Sequence, residues 1–309
     1  QNFIVVIDSL VLVTLVGLAA GVFDEELHKK YVTMPHAEFI EYFNKQDYSW
    51  KVTKNENIKH LIPTYINSKP NFPLRSHDIE ALKDLPENFD SREKWPHCES
   101  IKDIYTQNNC TVCWAFASAN TASDRTCIHK NVHVRLSVQD LECSRPDAIC
   151  HSLGEPIYAF QFWQEFGLVT QDCKPYDAEK LLNSSCVVTC VDGRNYTQDK
   201  HFAEKIYGIP NDDDKIKTEL FKNGPISADF WVFQDFLDYH HGVYEHKYGT
   251  FVGGHAVRVI GYGVENGSDY WLVANTWGKG RGDNGLYKIK RFQKELEFEK
   301  EMISGLPKN

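Results

Sequence analysis

All nine cysteines of this 309-residue chain lie at or beyond Cys98. That odd number is the strongest constraint on the fold: eight can pair into bridges, and one thiol is left over to be located and explained. Nine cysteines are too sparse for a miniature disulfide scaffold. A chain of this length instead buries a core of its own, as one large or two medium domains. Composition narrows the class further, with 42% hydrophobic residues, 25% charged residues and a formal net charge of −9. Such a balance excludes a disordered tail, a collagenous chain and a multi-span membrane protein. The absence of any Lys/Arg block argues against nucleic acid as the main partner.

The chain opens on an apolar run from Phe3 to Phe23, broken by Asp8, Ser9 and Thr14, with Gly17-Leu18-Ala19-Ala20-Gly21 near its end. Small residues in that place suit a signal peptidase, so residues 1–21 are expected to be a signal peptide. A membrane anchor is the alternative, but Asp8 and the lack of a flanking basic cluster speak against it. Secretion permits disulfides. It also gives meaning to the Asn-x-Ser/Thr sites at Asn183, Asn195 and Asn266 as glycosylation positions. Asn109 matches formally, but it sits beside Cys110 and the helix behind it. Residues 22–84 hold no cysteine, and Glu38 to Phe43 has helical spacing, while Asn67 to Pro73 is punctuated by proline. A cysteine-free leader ahead of a cysteine-bearing body reads as a removable pro-segment, with a small N-terminal domain as the plainer alternative.

The most informative stretch is Gln107-Asn108-Asn109-Cys110-Thr111-Val112-Cys113-Trp114-Ala115-Phe116. From Cys113 onward it is Ala-rich and free of Gly and Pro, which predicts a helix with Cys113 at its N-terminus. Exposed N–H groups and the macrodipole favour a thiolate there. Cys110-x-x-Cys113 admits other readings. A redox pair wants a thioredoxin-like βαβ context, which is missing, and a zinc site wants a second Cys/His pair at ligand spacing. A structural disulfide would use Cys110 and leave Cys113 idle. A free thiol is what a nucleophile requires.

A cysteine nucleophile needs a base, and thirteen histidines offer candidates. His255 stands out in Gly253-Gly254-His255-Ala256-Val257, where two glycines lead into a β-branched alternating strand and let other backbone approach closely. Asn266-Gly267 is a strong hairpin signal. The returning strand Tyr270 to Ala274 ends at Asn275, whose amide oxygen can hold the His255 imidazole in one tautomer.

These residues together resemble the papain-type cysteine peptidases, and within them the cathepsin B group. The resemblance runs from about Leu85 to Pro307, on Cys113-Trp114-Ala115-Phe116, Gly254-His255-Ala256 and Asn275-Thr276-Trp277-Gly278, with a weaker echo at Phe43-Asn44-Lys45 and Trp50. It implies an α+β fold of two lobes. Residues 85–198 would form a mainly helical lobe carrying the nucleophile. Residues 199–309 would form a β-barrel-like lobe carrying His255 and Asn275, with a C-terminal tail returning across the body. It also implies that Cys113 attacks a peptide carbonyl as one member of a thiolate–imidazolium pair and that His255 serves as general base and acid. Asn275 would orient the imidazole, Gln107 would donate to the oxyanion, and Trp277 would shield the His–Asn contact. Gly254, Ala256 and Thr111 would line the substrate cleft. Glu301 falls where the group carries an acidic pocket floor, although Lys294 to Glu301 is also a charged run of the kind that faces solvent. The implied bridges are Cys98–Cys127, Cys110–Cys150, Cys143–Cys186 and Cys173–Cys190.

The implied product is a secreted or lysosomal/endosomal monomeric cysteine peptidase, made as a zymogen. Its partners would be protein or peptide substrates, its own pro-segment as intramolecular inhibitor, and cystatin-like inhibitors. No cofactor or metal is implied, and no membrane contact after signal removal. The chain also departs from the pattern. Thr111 and Asn108 replace glycines, Cys150-His151-Ser152-Leu153-Gly154 replaces a glycine-glycine wall, and Arg281 replaces a tryptophan on the leaving-group side. The segment from Cys173 to Cys190 is short and holds no histidine, so the paired histidines that grip a substrate carboxylate in cathepsin B are missing. His240-His241 lies elsewhere and reads as surface. An open cleft and endopeptidase action follow from that loss. The rivals are a catalytically impaired homologue that binds peptides or inhibitors, and a carboxy-dipeptidase.

Overall fold

The computed structural model describes residues 23–63, 79–143, 150, 154–182 and 187–309. The expected signal peptide, Asn183, Cys186 and His151 to Leu153 lie outside the described residues. Among the described residues, no helix is long and apolar enough to cross a membrane.

The leader starts with helices α1 (Glu25–Thr33) and α2 (His36–Asn44), continues into strand β1 (Trp50–Val52) and closes on a 3-10 turn at Lys59–Leu61. Asp24 caps α1 by accepting from the Leu27 N–H at 2.9 Å. Helix α2 buries Phe39 and Phe43, four apart on one face. Asn44 then grips β1 from both sides: its amide oxygen accepts from the Val52 N–H and its amide nitrogen donates to the Val52 carbonyl, each at 2.9 Å.

The body begins with β2 (Phe89–Asp90) and α3 (Ser91–Lys94), and its helical lobe is built on α4 (Cys113–Lys130), α5 (Val138–Glu142), α6 (Pro156–Glu165) and α7 (Ala178–Leu182). Every residue of α4 from Cys113 to Cys127 is buried, so its polar side chains need internal partners. Ser118, Ser123 and Thr126 return their hydroxyls to carbonyls one turn back. Asp124 pairs with Arg258 at 2.7 Å, and Arg125 pairs with Glu219 at 2.8 Å.

The β-rich lobe holds β3 (Ala203–Ile209), α8 (Asp213–Asn223), β4 (Ile226–Phe233), β5 (Tyr239–Tyr244), β6 (Phe251–Glu265), β7 (Ser268–Ala274), β8 (Leu286–Lys290) and β9 (Met302–Pro307). Strand order is β1-β5-β8-β7-β6-β4-β9-β3, with β2 also on β6. All pairs are antiparallel except β5 with β8. The β6–β7 hairpin turns at Asn266-Gly267, whose φ values of 51° and 75° are left-handed at both positions. The leader completes this sheet: β1 pairs with β5, setting Trp50 opposite Gly242. Gly242 has φ 91°, and a Cβ there would lie 2.3 Å from the Ser49 carbonyl oxygen, so only glycine lets the leader strand dock.

Candidate active site

Cys113 is the first residue of α4. The N-cap is Val112, which has no side chain to cap the helix, so the first N–H groups stay uncommitted to a cap. Backbone N–H groups of Ala256, Trp114 and Cys113 itself point at the sulfur and favour its charged form, but burial outweighs them and pushes the thiol up to about 12. Bridges join Cys98 to Cys127, Cys110 to Cys150 and Cys173 to Cys190. The Cys143–Cys186 pairing falls on a residue outside the described ones. Among the described residues Cys113 is the free thiol. Cys110-x-x-Cys113 is therefore one structural half-bridge and one unbridged sulfur, not a redox pair.

Ala256, whose N–H faces that sulfur, follows His255 on β6. The His255 Nε2 meets the Asn275 Oδ1 at 2.7 Å. That oxygen also accepts from the Thr276 N–H at 2.7 Å, which fixes the amide's orientation. Trp277 lies flat on the imidazole, with ring centres 4.5 Å apart and planes 22° from parallel, and Phe230 closes another side at 5.9 Å. The His255 Nδ1 is buried without a hydrogen-bond partner. Burial lowers the imidazole to about 4, against the opposing hydrogen bond from Asn275. In this covered form burial works against both members of the thiolate–imidazolium pair that the resemblance implies. The reason is desolvation: neither charge has water around it.

Gln107 is fully buried. Its Oε1 accepts from the Thr276 hydroxyl at 2.7 Å, and its Nε2 donates to the Cys110 carbonyl at 2.8 Å and to the Leu61 carbonyl at 3.2 Å. Leu61 belongs to the leader. Two residues on, the Pro63 carbonyl accepts from the Gly254 N–H at 3.1 Å, and a Cβ on Gly253 would lie 2.1 Å from that same oxygen. Upstream, the Glu56 carbonyl accepts from the Arg281 Nη2 at 2.7 Å. The leader thus crosses the site from Arg281, past Gln107, to Gly254. Sequence reasoning missed these three contacts. Their one visible signal was the Gly253-Gly254 pair, which announced a close backbone approach.

The other residues singled out from sequence are spread around this line. Ala256 is buried behind Cys113. Thr111 is buried, and its hydroxyl and N–H both donate to the Cys150 carbonyl, at 3.1 and 2.6 Å. Asn108 adopts φ 49°, a left-handed backbone that asparagine tolerates better than most residues. Glu301 is half-buried one residue before β9. Asn195 and Asn266 are exposed, and so are His240 and His241.

A family model described as papain family cysteine protease matches residues 85–306. A cathepsin B-like cysteine proteinase of Caenorhabditis elegans is 34% identical over 91% of this chain and 92% of its own length. One of Schistosoma japonicum is 33% identical over 88% and 90%. Among solved structures, a procathepsin B of Trypanosoma congolense superposes with a TM-score of 0.77 at 31% identity, covering 89% of this chain and 99% of that one. The chain belongs to the papain family of cysteine proteases. Within that class it is a cathepsin B-like cysteine peptidase of the two-lobed α+β fold, made as a zymogen whose leader is its own intramolecular inhibitor.

Proposed function

We propose that this protein is an endopeptidase in which Cys113, His255, Asn275 and Gln107 form the catalytic set. The supporting observation is the free thiol at the first turn of α4, facing the residue next to a histidine whose Nε2 is held by Asn275. With Nε2 so engaged, Nδ1 is the nitrogen that exchanges a proton with the sulfur. The thiolate attacks the peptide carbonyl, and the carbon–oxygen double bond opens to an oxyanion. The Gln107 Nε2, which touches the Leu61 carbonyl in the zymogen, donates to that oxyanion; one such donor is worth about 3–4 kcal/mol. His255 gives its proton to the leaving amine as the carbon–nitrogen bond breaks, and water then hydrolyses the thioester. Trp277 keeps water off the His–Asn contact.

Residues 22–84 are the segment removed on activation. While docked it places main-chain carbonyls on the Gln107 and Gly254 donors and bars substrate. The Cys173–Cys190 segment has no histidine to bind a chain end as cathepsin B does, which supports endopeptidase action. The apolar run at Phe3 to Phe23 and the bridges support a secreted or lysosomal/endosomal protein, with cystatin-like proteins as inhibitors and Asn195 and Asn266 as glycan sites. Turnover of a fluorogenic Arg-containing peptide by acid-activated protein, against Cys113→Ser, tests the reading. Turnover matching the serine variant would overturn it.

A further inference from the structure

We infer that Arg281 is a specificity residue that selects substrates bearing a carboxylate on the leaving-group side of the scissile bond. The inference rests on the peptidase reading above. The amine departs toward the imidazole that protonates it, so the chain beyond the scissile bond lies over Trp277 and the loop that follows. Arg281 is four residues past Trp277 in that loop. The loop is firmly held: the Gly278 N–H donates to the Tyr105 carbonyl at 2.9 Å and the Gly285 N–H to the Arg281 carbonyl at 2.8 Å. Gly278, Gly282 and Gly285 all sit at positive φ, which sets the path of the loop backbone around Arg281.

In the zymogen the guanidinium is only partly used. Its Nη2 donates to the Glu56 carbonyl of the leader, and its Nη1 is buried with no hydrogen-bond partner. A buried unpaired N–H on a permanent cation is costly. Removing the leader strips the Glu56 acceptor from Nη2, leaving the guanidinium with two N–H groups to satisfy. Two parallel N–H groups on a planar cation match a carboxylate in a bidentate fork. Asp238 lies close enough to feel the Arg281 charge. Its own hydrogen bond, however, goes to the His36 Nε2 of the leader at 3.0 Å. The carboxylate could be an acidic side chain or the substrate's own C-terminus.

The test uses peptides with one common acyl part and three leaving parts: Ala-Ala amide, Ala-Glu amide and Ala-Ala free acid. For the mature wild-type enzyme, kcat/KM for at least one carboxylate-bearing peptide is expected to exceed that of the Ala-Ala amide roughly five- to thirtyfold at low salt. Which of the two leads identifies the source of the charge. Within Arg281→Gln the same ratio falls to about one, while Arg281→Lys keeps part of it. Equal treatment of all three by the wild type, or a preference that survives Arg281→Gln, overturns the inference. Calorimetric binding of the same peptides to mature Cys113→Ser carries the same ratio, so it decides the matter even if turnover is absent. Lack of turnover alone counts against the peptidase reading.

Discussion

Replacing Trp50 by alanine should open the zymogen without unfolding the body. Trp50 is 1% exposed and sits in a nest of rings, with Phe43 at 4.8 Å, Tyr244 edge-on at 5.0 Å and Tyr248 stacked at 6.3 Å. Truncating a buried tryptophan costs about 3–5 kcal/mol. Here the loss falls on leader docking, because β5 keeps its pairing with β8 when β1 leaves. At 1.4 kcal/mol per tenfold, the undocked population rises by roughly a hundredfold to roughly four-thousandfold. The readout is alkylation of Cys113 in the intact precursor at pH 7. Cys113 is 3% exposed and burial pushes its thiol up, so alkylation needs opening and the labelling rate is expected to follow the open fraction when docking is fast. Val32→Ala, at a leader position 66% exposed, is the control and should change nothing. The reasoning is refuted if Trp50→Ala leaves labelling unchanged while the melting temperature of the body falls by the whole amount.

Three further outcomes follow from single contacts. Asn275→Ala removes the 2.7 Å bond that fixes the imidazole, so kcat should fall roughly ten- to hundredfold in the mature enzyme with KM little changed. His255 carries a pH signature: its value is lowered by burial to about 4 against 6.5, so the folded covered state binds fewer protons than the unfolded chain between those values. Its contribution is complete above pH 6.5 and is lost as pH falls, reaching about 3 kcal/mol at pH 4. Urea midpoints at pH 7 and pH 4 should therefore converge in His255→Gln, and an unchanged gap would exclude this source. Arg258 donates to Asp124 at 2.7 Å, to the Ser100 carbonyl at 3.1 Å and to the Asp103 carbonyl at 2.7 Å, tying β6 to α4. Arg258→Ala strands a buried carboxylate, so unfolding free energy measured in urea should drop by about 3–5 kcal/mol.

Much of the site was legible because local chemistry announces it. The unbridged Cys113 at an Ala-rich helix start, the Asn-Gly turn that delivers Asn275 near His255, and the spacing of Phe39 and Phe43 on α2 are all short-range signals. What escaped was long-range. Leu61 meets Gln107 across 46 residues and Glu56 meets Arg281 across 225, and both contacts depend on how the leader docks as a shape. Asp124 and Arg125 find their partners Arg258 and Glu219 on elements far along the chain, and both pairs are buried. The burial of Cys113 and His255, which disfavours both charged forms, was equally hidden, since residue types do not reveal how dry a site is.

The departures from the family pattern divide by what each does to the backbone. Asn108 takes the left-handed conformation that a glycine would favour there, so the turn before Cys110 survives the change. Thr111 turns its hydroxyl onto the Cys150 carbonyl, joining two strands of chain already linked by the Cys110–Cys150 bridge. Gly154 remains where a Cβ would lie 2.1 Å from the Trp114 ring, so this part of the wall still admits only glycine against the helix that carries the nucleophile. All three act on the backbone around the nucleophile, while the imidazole keeps its 2.7 Å bond to Asn275. Arg281 differs in kind, because it replaces an apolar ring by a fixed charge with one N–H unpaired, and leaves the Trp277 stack on His255 intact. On the proposed reading, an outer wall that carries a cation in place of a ring acts on which peptide the cleft receives, and the Arg281→Gln comparison is what tests it.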